Sequence, residues 1–261
     1  TLERIKDYSK NTVISQWFED HLADTGPDFS LNRKKLLKYD NFIKSNFITT
    51  HPSTLDFLNK KDNFHYLPIP VDKNIEKLKI YENKNQICDV FFSMSHGVNR
   101  GKLKRDKVDE RHNFITELIT ECPNIIFDIY GYKNREPVWA EDFYKVIVNS
   151  KMALNLTRGK PLKYLTSNRI ASLIGNGLLT FIDKKTKLNN FFSNNEVVFY
   201  SGLKDLADKI NYYKSNESSR IKIAKNGRRK YFDLFECQKV ANYIISKSFD
   251  RDIPKVLKWM D

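Results

Sequence analysis

Three stretches of this 261-residue chain gather cations, glycines and hydroxyls at spacings that suit a phosphorylated ligand. The first, "SMSHGVNRGKLKRDKVDER" (93–111), sets Gly97 and Gly101 among Arg100, Lys102, Lys104, Arg105, Lys107 and Arg111. Glycines let backbone N–H groups approach a ligand closely, and Arg and Lys add charge-assisted bonds to phosphate oxygens. The loop feeds a helix, whose N-terminal dipole favours an anion. A solvated basic loop has the same composition, and His96 beside Gly97 suits either a transferred sugar or a turn cap. The second stretch, "YGYKNREPVWAEDF" (130–143), offers Tyr130, Gly131 and Trp139, whose aromatics could frame a base or sugar or serve packing beside Pro137. The third, "LNLTRGKPLKYLTSNRIASLIGNGLLTFID" (154–183), is the richest. A polar loop with Arg158, Gly159 and Lys160 leads to a helix with Ser167 as N-cap and Gly175-Asn176-Gly177 as its C-terminal turn. Arg158, Lys160, Lys163 and Arg169 around one helix start suit a ligand with two or more phosphates.

The elements that must position these residues follow an alternating pattern. "CDVFFSM" (88–94), "NIIFDIYG" (124–131), "KMALNL" (151–156), "LLTFI" (178–182) and "EVVFY" (196–200) are short apolar runs without in/out alternation, as in parallel strands covered on both faces. Helical periods separate them at 109–121, 141–150, 167–177 and 203–213, and two more follow at 217–235 and 237–249. The fold class expected is α/β: a Rossmann-like, doubly wound parallel sheet that takes ligands at the carboxyl ends of its strands. Upstream, "TVISQWF" (12–18) and "SNFITT" (45–50) read as strands, and "STLDFL" (53–58) as a short helix. The first strand ends at Glu19 and Asp20, a candidate base pair or simply a loop start. The division expected is 1–72 as the end of an N-terminal lobe with its connector, 73–248 as a nucleotide-binding domain, and 249–261 as a tail helix.

Bulk composition narrows the function less than these stretches do. The net charge of +13 draws anions, whether nucleic acid, acidic lipid or phosphorylated substrates, although the Asn-, Ile- and Lys-rich make-up of the chain accounts for much of it without any partner. Nucleic-acid binding predicts a continuous basic stripe with stacking aromatics, whereas these cations cluster at strand ends. Cys88, Cys122 and Cys237 have no paired spacing, which points to a reducing cytoplasm and no metal site. No apolar run is long enough to span a bilayer, so contact with the inner face of a membrane would be peripheral.

The order of these segments resembles the C-terminal half of GT-B glycosyltransferases, especially the group related to the spore-maturation protein CgeB and the family 1-type C-terminal domain. "FDIYG", "SKMALNLTRG", a helix on the pattern R-x-x-E-x-x-x-x-G with Arg169 and Gly177 in place, "NEVVFY" and "IAKNGRRKYFDLF" carry the resemblance. "ISQWFEDHL" and "FITTHPSTLDFLNKKDNFHYLPIPVD" look like the end of the family's first lobe and connector. The pattern's glutamate falls on Ser172, and the wider retaining class would want acids at Tyr164 and Ser172; Tyr164 or Asn168 could make the missing contact. The resemblance implies metal-independent transfer of a sugar from a nucleotide-diphosphate donor to a glycan hydroxyl, with no cofactor, in cell-surface polysaccharide or glycoconjugate synthesis. Asp20, Glu19 and His96 are then the catalytic candidates. Donor contacts are expected from Gly97, Arg100 and Lys102, from Tyr130 and Gly131, and from Arg158, Gly159 and Lys160. Tyr164, Ser167, Asn168 and Arg169, with the Gly175-Asn176-Gly177 turn, complete that set. A donor-binding module without turnover, then a sugar-nucleotide epimerase, are the alternatives.

Overall fold

The computed structural model describes residues 2–24, 28–58, 62–94, 109–254, 257 and 259. Its first lobe holds α1 (Leu2–Tyr8), β1 (Ser15–Phe18), α2 (Phe29–Leu37), β2 (Ser45–Ile48) and β3 (Phe64–Tyr66). The strands form a parallel sheet in the order β1-β2-β3, with Ser15 opposite Ser45 and Asn46 opposite Phe64. Central β2 is buried at all its positions. The helix expected over 53–58 is instead two 3-10 turns, Pro52–Thr54 and Asp56–Leu58. Helix α2 buries only Asn32 and Leu36, so its apolar face is too narrow to register as a helical period.

The second lobe contains β4 (Cys88–Ser93), α3 (Glu110–Glu121), β5 (Phe127–Tyr130), α4 (Ala140–Ile147), β6 (Ser150–Asn155), α5 (Arg169–Gly175), β7 (Leu179–Asp183) and β8 (Val198–Tyr200). Helices α6 (Leu203–Ser215), α7 (Glu217–Phe235) and α8 (Cys237–Ser248) follow. All strands are parallel, in the order β5-β4-β6-β7-β8. Helices α3 and α6 seal one face, where Ile115, Leu118, Leu206 and Ile210 meet Phe92, Leu154 and Phe181. Helices α4 and α5 cover the other, with Ile147 and Leu173 against Phe91 and Ala153. Burial on both faces explains why these strands show no alternation in the sequence. The fold is thus the α/β, doubly wound class expected. Because β4 is flanked by β5 and β6, the chain order reverses there, and a crevice opens outside the carboxyl ends of β4 and β6.

Two boundaries differ from the sequence expectation. Helix α8, assigned there to the second lobe, also packs on the first: Tyr243 meets Phe47 edge-on, and Ser15 Oγ lies 2.7 Å from Ser248 Oγ. An apolar face of this kind announces burial but not which sheet it will cover. Residues 249–254 are not helical; farther on, Trp259 Nε1 donates to the Leu234 carbonyl and its ring meets Tyr243. The connector between lobes is pinned by Val71, which bridges to Glu236, and by Asn176, whose side-chain oxygen accepts from Leu78 N–H and whose carbonyl accepts from Ile80 N–H.

Candidate functional site

A cavity of about 500 Å³ lies over the β4/β6 crevice and is walled by both lobes. The first lobe contributes Glu19, Asp20 and His21 from the end of β1, with α2 behind them. The second contributes Arg111 from α3, Arg158 after β6, and Ser167, Asn168 and Arg169 at the start of α5. Three guanidinium groups from separate segments therefore meet at one strand-end crevice.

Their surroundings are unequal. Asp109, fully buried, caps α3 by accepting from Arg111 N–H, then takes the Arg111 guanidinium in a two-pronged pair at 3.0 and 2.6 Å. Arg111 is thus neutralised where it stands. Arg169 stacks over the Phe92 ring, 4.7 Å from its centroid, where Arg111 also rests, and donates to the Leu156 carbonyl at 3.1 Å. No other hydrogen bond involves its guanidinium among the described residues. Burial, and next the positive Arg111, pull its pKa down to about 9, so it remains charged at neutral pH in a place that penalises the charge. Burial and Arg111 also lower the pKa of Arg158. Arg169 makes no ion pair among the described residues, whereas Asp109 pairs with Arg111. Ser167 adds a buried Oγ with no hydrogen-bond partner among the described residues.

On the opposite wall Glu19 accepts from Asn168 Nδ2 at 2.8 Å, a bridge between lobes. Beside it, His21 Nδ1 accepts from Ala23 N–H. Burial, then the charge of Arg158, lower the His21 pKa and keep its imidazole neutral. The sequence reading passed over His21, because a lone histidine after a strand carries no spacing signal.

A family profile described as glycosyl transferase-like matches residues 107–246, more than half of the chain. The chain belongs to this glycosyl transferase-like family. Among solved structures it is similar to Anabaena Alr3699/HepE in complex with UDP and glucose, at 12% identity and TM-score 0.67, over 96% of this chain and 76% of that one. It is also similar to a glycosyltransferase from Rickettsia africae ESF-5, at 14% identity and TM-score 0.57, over 95% and 79%. TarM is a third, at 14% identity and TM-score 0.59; 90% of this chain is covered but only 50% of TarM, so the chain spans half of that protein's length. No curated protein matches the sequence. The fold of this glycosyl transferase-like chain is that of the GT-B glycosyltransferases.

Of the expected site residues, the structure brings Glu19, Asp20, Arg158, Ser167, Asn168 and Arg169 to the cavity. His96, Gly97, Arg100 and Lys102 lie outside the described residues. Gly159 donates its N–H to Glu110 beside the cavity, and exposed Lys160 follows it; neither lines the cavity wall. One expectation is corrected, and three sets of expected donor residues stand away from the cavity wall. Ser167 does not cap α5: the cap position is Asn168, without a side-chain bond, and the Ser167 carbonyl accepts from Ile170 N–H instead. Tyr164 is buried among Tyr66, His51 and Phe191, and Asn190 donates to its hydroxyl, so it makes an inter-lobe aromatic contact. Tyr130 stacks under Arg135 on the α4 side of the sheet, and Gly131 lets its strand end approach the Met94 carbonyl. Gly175, Asn176 and Gly177 sit at the far end of α5 against Val71, Glu76 and Tyr81, where they hold the connector. Ser172, where the family pattern has an acid, lies on that same side: the Tyr144 hydroxyl bonds with it and with Glu76.

Proposed function

We propose that the chain binds a nucleotide-diphosphate sugar with its diphosphate against Arg169, Arg158 and Ser167, and transfers the sugar to an acceptor hydroxyl approaching from the first lobe. The observation that carries this reading is the uncompensated Arg169 guanidinium at a strand-end cavity. Buried charge without a carboxylate is costly, and a ligand phosphate relieves that cost. As the bond to the anomeric carbon breaks, negative charge grows on the leaving diphosphate, and guanidinium groups already fixed in place stabilise it. The positive charge that a metal would bring is supplied by the chain, so transfer is expected to proceed without one and without a cofactor. HepE has been captured with UDP-glucose, and TarM with UDP and a GlcNAc-glycerol compound. A hexosyl donor and a cell-surface glycan acceptor are the finer part of the proposal. No helix among the described residues is long and apolar enough to cross a membrane, and peripheral contact with a membrane carrying the acceptor belongs to the same proposal.

Asp20 is the expected base for the acceptor proton, since Glu19 is engaged by Asn168 and the neutral His21, whose Nδ1 accepts from Ala23 N–H, carries its proton on Nε2. The test is release of nucleoside diphosphate from a panel of nucleotide sugars, with and without EDTA. Release that survives EDTA, is lost in Asp20→Asn, and is accompanied by an unchanged nucleotide melting shift supports the reading. Absence of any nucleotide-induced melting shift overturns it.

A further inference from the structure

A second, smaller cavity of about 130 Å³ opens beside the first and shares Arg111, Leu156 and Thr157 with it. It belongs wholly to the second lobe. Its lining differs in charge from the cationic crevice: Asp183 at the end of β7 and Glu110 at the start of α3 border it, together with the Phe114 ring and Tyr200 at the end of β8. Asp183 and Tyr200 are register partners on adjacent strands, so they stand side by side at the sheet edge of the cavity. Tyr200 is 3% exposed and borders the cavity. Burial, then the neighbouring Asp183, raise its pKa, so it stays a neutral phenol able to donate. Asn155 borders the same cavity, and among the described residues both polar atoms of its buried carboxamide lack a partner.

Buried polar groups are ordinarily satisfied, and each exception asks for an explanation. One such exception, the Asn155 carboxamide, borders this small cavity, beside two carboxylates, the Tyr200 phenol and an aromatic ring. Carboxylates repel a further phosphate but accept hydrogen bonds from hydroxyls, and a phenol donates to a ring or hydroxyl oxygen. A neutral, hydroxyl-rich ring joined to an anion in the larger cavity meets all of these groups at once.

We propose that this annex, with Tyr200 and Asp183 as its specificity-determining residues, receives the hydroxyls of the donor's sugar while the diphosphate occupies the guanidinium-lined cavity. The inference rests on the donor-binding reading above and extends it to the sugar. Tyr200→Phe removes one hydroxyl, and Asp183→Asn removes one charge while keeping an oxygen for the Lys185 N–H that Asp183 now accepts. The probes are UDP, GDP, CDP and ADP, followed by the glucose and N-acetylglucosamine esters of whichever binds, with dissociation constants from calorimetry. Each variant is expected to weaken the nucleotide sugar about tenfold, near 1.4 kcal/mol, and to leave the bare diphosphate within about twofold. Equal loss for both ligands would assign the annex to the ribose and overturn the proposal, as would no loss for either. If no nucleoside diphosphate binds the unaltered chain, the donor-binding reading itself falls. If the diphosphate binds but the variants do not discriminate, only the sugar assignment falls.

Discussion

Replacing Arg169 with methionine is expected to abolish most nucleotide affinity while leaving the free protein as stable as before, or more so. The two halves of that outcome come from the same feature. Arg169 is held on the Phe92 ring with a carbonyl as its hydrogen-bond acceptor, beside an Arg111 whose charge Asp109 already balances. A guanidinium so placed disfavours the empty fold, and an apolar side chain of similar length removes that cost while keeping the contact with Phe92. In the complex, the same guanidinium meets a phosphate in a setting with little water, and truncating one partner of such a pair typically costs 2–5 kcal/mol. A loss of about 100-fold in affinity, or roughly 2.7 kcal/mol, is the expected magnitude. Thermal shift reads both halves, because a ligand that binds only the native state raises the melting temperature by mass action. An Arg169→Met protein that melts at or above the unaltered temperature and ignores millimolar nucleotide would fit. One that keeps the full nucleotide response would remove Arg169 from the site, and with it the observation on which the donor reading stands.

The sheet was legible because its physics is local and repeated. Runs such as "CDVFFSM" and "LLTFI" are too apolar for a half-exposed strand, and the helices between them leave few arrangements but a parallel sheet covered twice. Half of the site could be read in the same way, since Arg158, Ser167, Asn168 and Arg169 lie within a few residues of a strand end and a helix start. What could not be read depends on orientation. Tyr164 and the Gly175-Asn176-Gly177 turn belong to the same stretch as Arg169, but α5 carries the turn to its far end, and Tyr164 turns away into the inter-lobe aromatic cluster. Cap chemistry misled at Ser167: the helix begins at Arg169, and the hydroxyl is left buried at the cavity wall, where it is of more use to a ligand. The Asp109–Arg111 pair was within reach, being a cap residue and a cation two positions apart, and it decides which arginine is left uncompensated. His21 and Tyr200 had no such signal. Their places in the two cavity walls come from lobes and strands that meet only after folding.

Gly131 separates a structural role from a ligand role by the kind of damage its replacement does. As a donor contact, Gly131→Ala would lower nucleotide affinity and leave the melting temperature in place. The structure predicts the reverse order of events. Gly131 has φ +70°, and a Cβ there would lie 2.2 Å from the Met94 carbonyl oxygen and 3.0 Å from its carbon, both backbone atoms. Neither can yield as a side chain would, because Met94 N–H is bonded to the Tyr130 carbonyl at 2.9 Å and continues the β4–β5 ladder in which Ser93 faces Tyr130. Gly131 N–H is itself held by the carbonyls of Arg135 and Glu136. The left-handed conformation and the clash together are expected to cost about 3 kcal/mol or more. In a chain of this size that is a fall of roughly 6–12 °C in melting temperature. Nucleotide affinity should drop only as a consequence, since the displaced end of β4 carries Phe92, the ring on which Arg169 and Arg111 rest. A Gly131→Ala protein that melts normally yet loses nucleotide would restore Gly131 to the donor site. One that melts early, and regains most of its affinity when measured well below its transition, would place Gly131 in the scaffold beneath it.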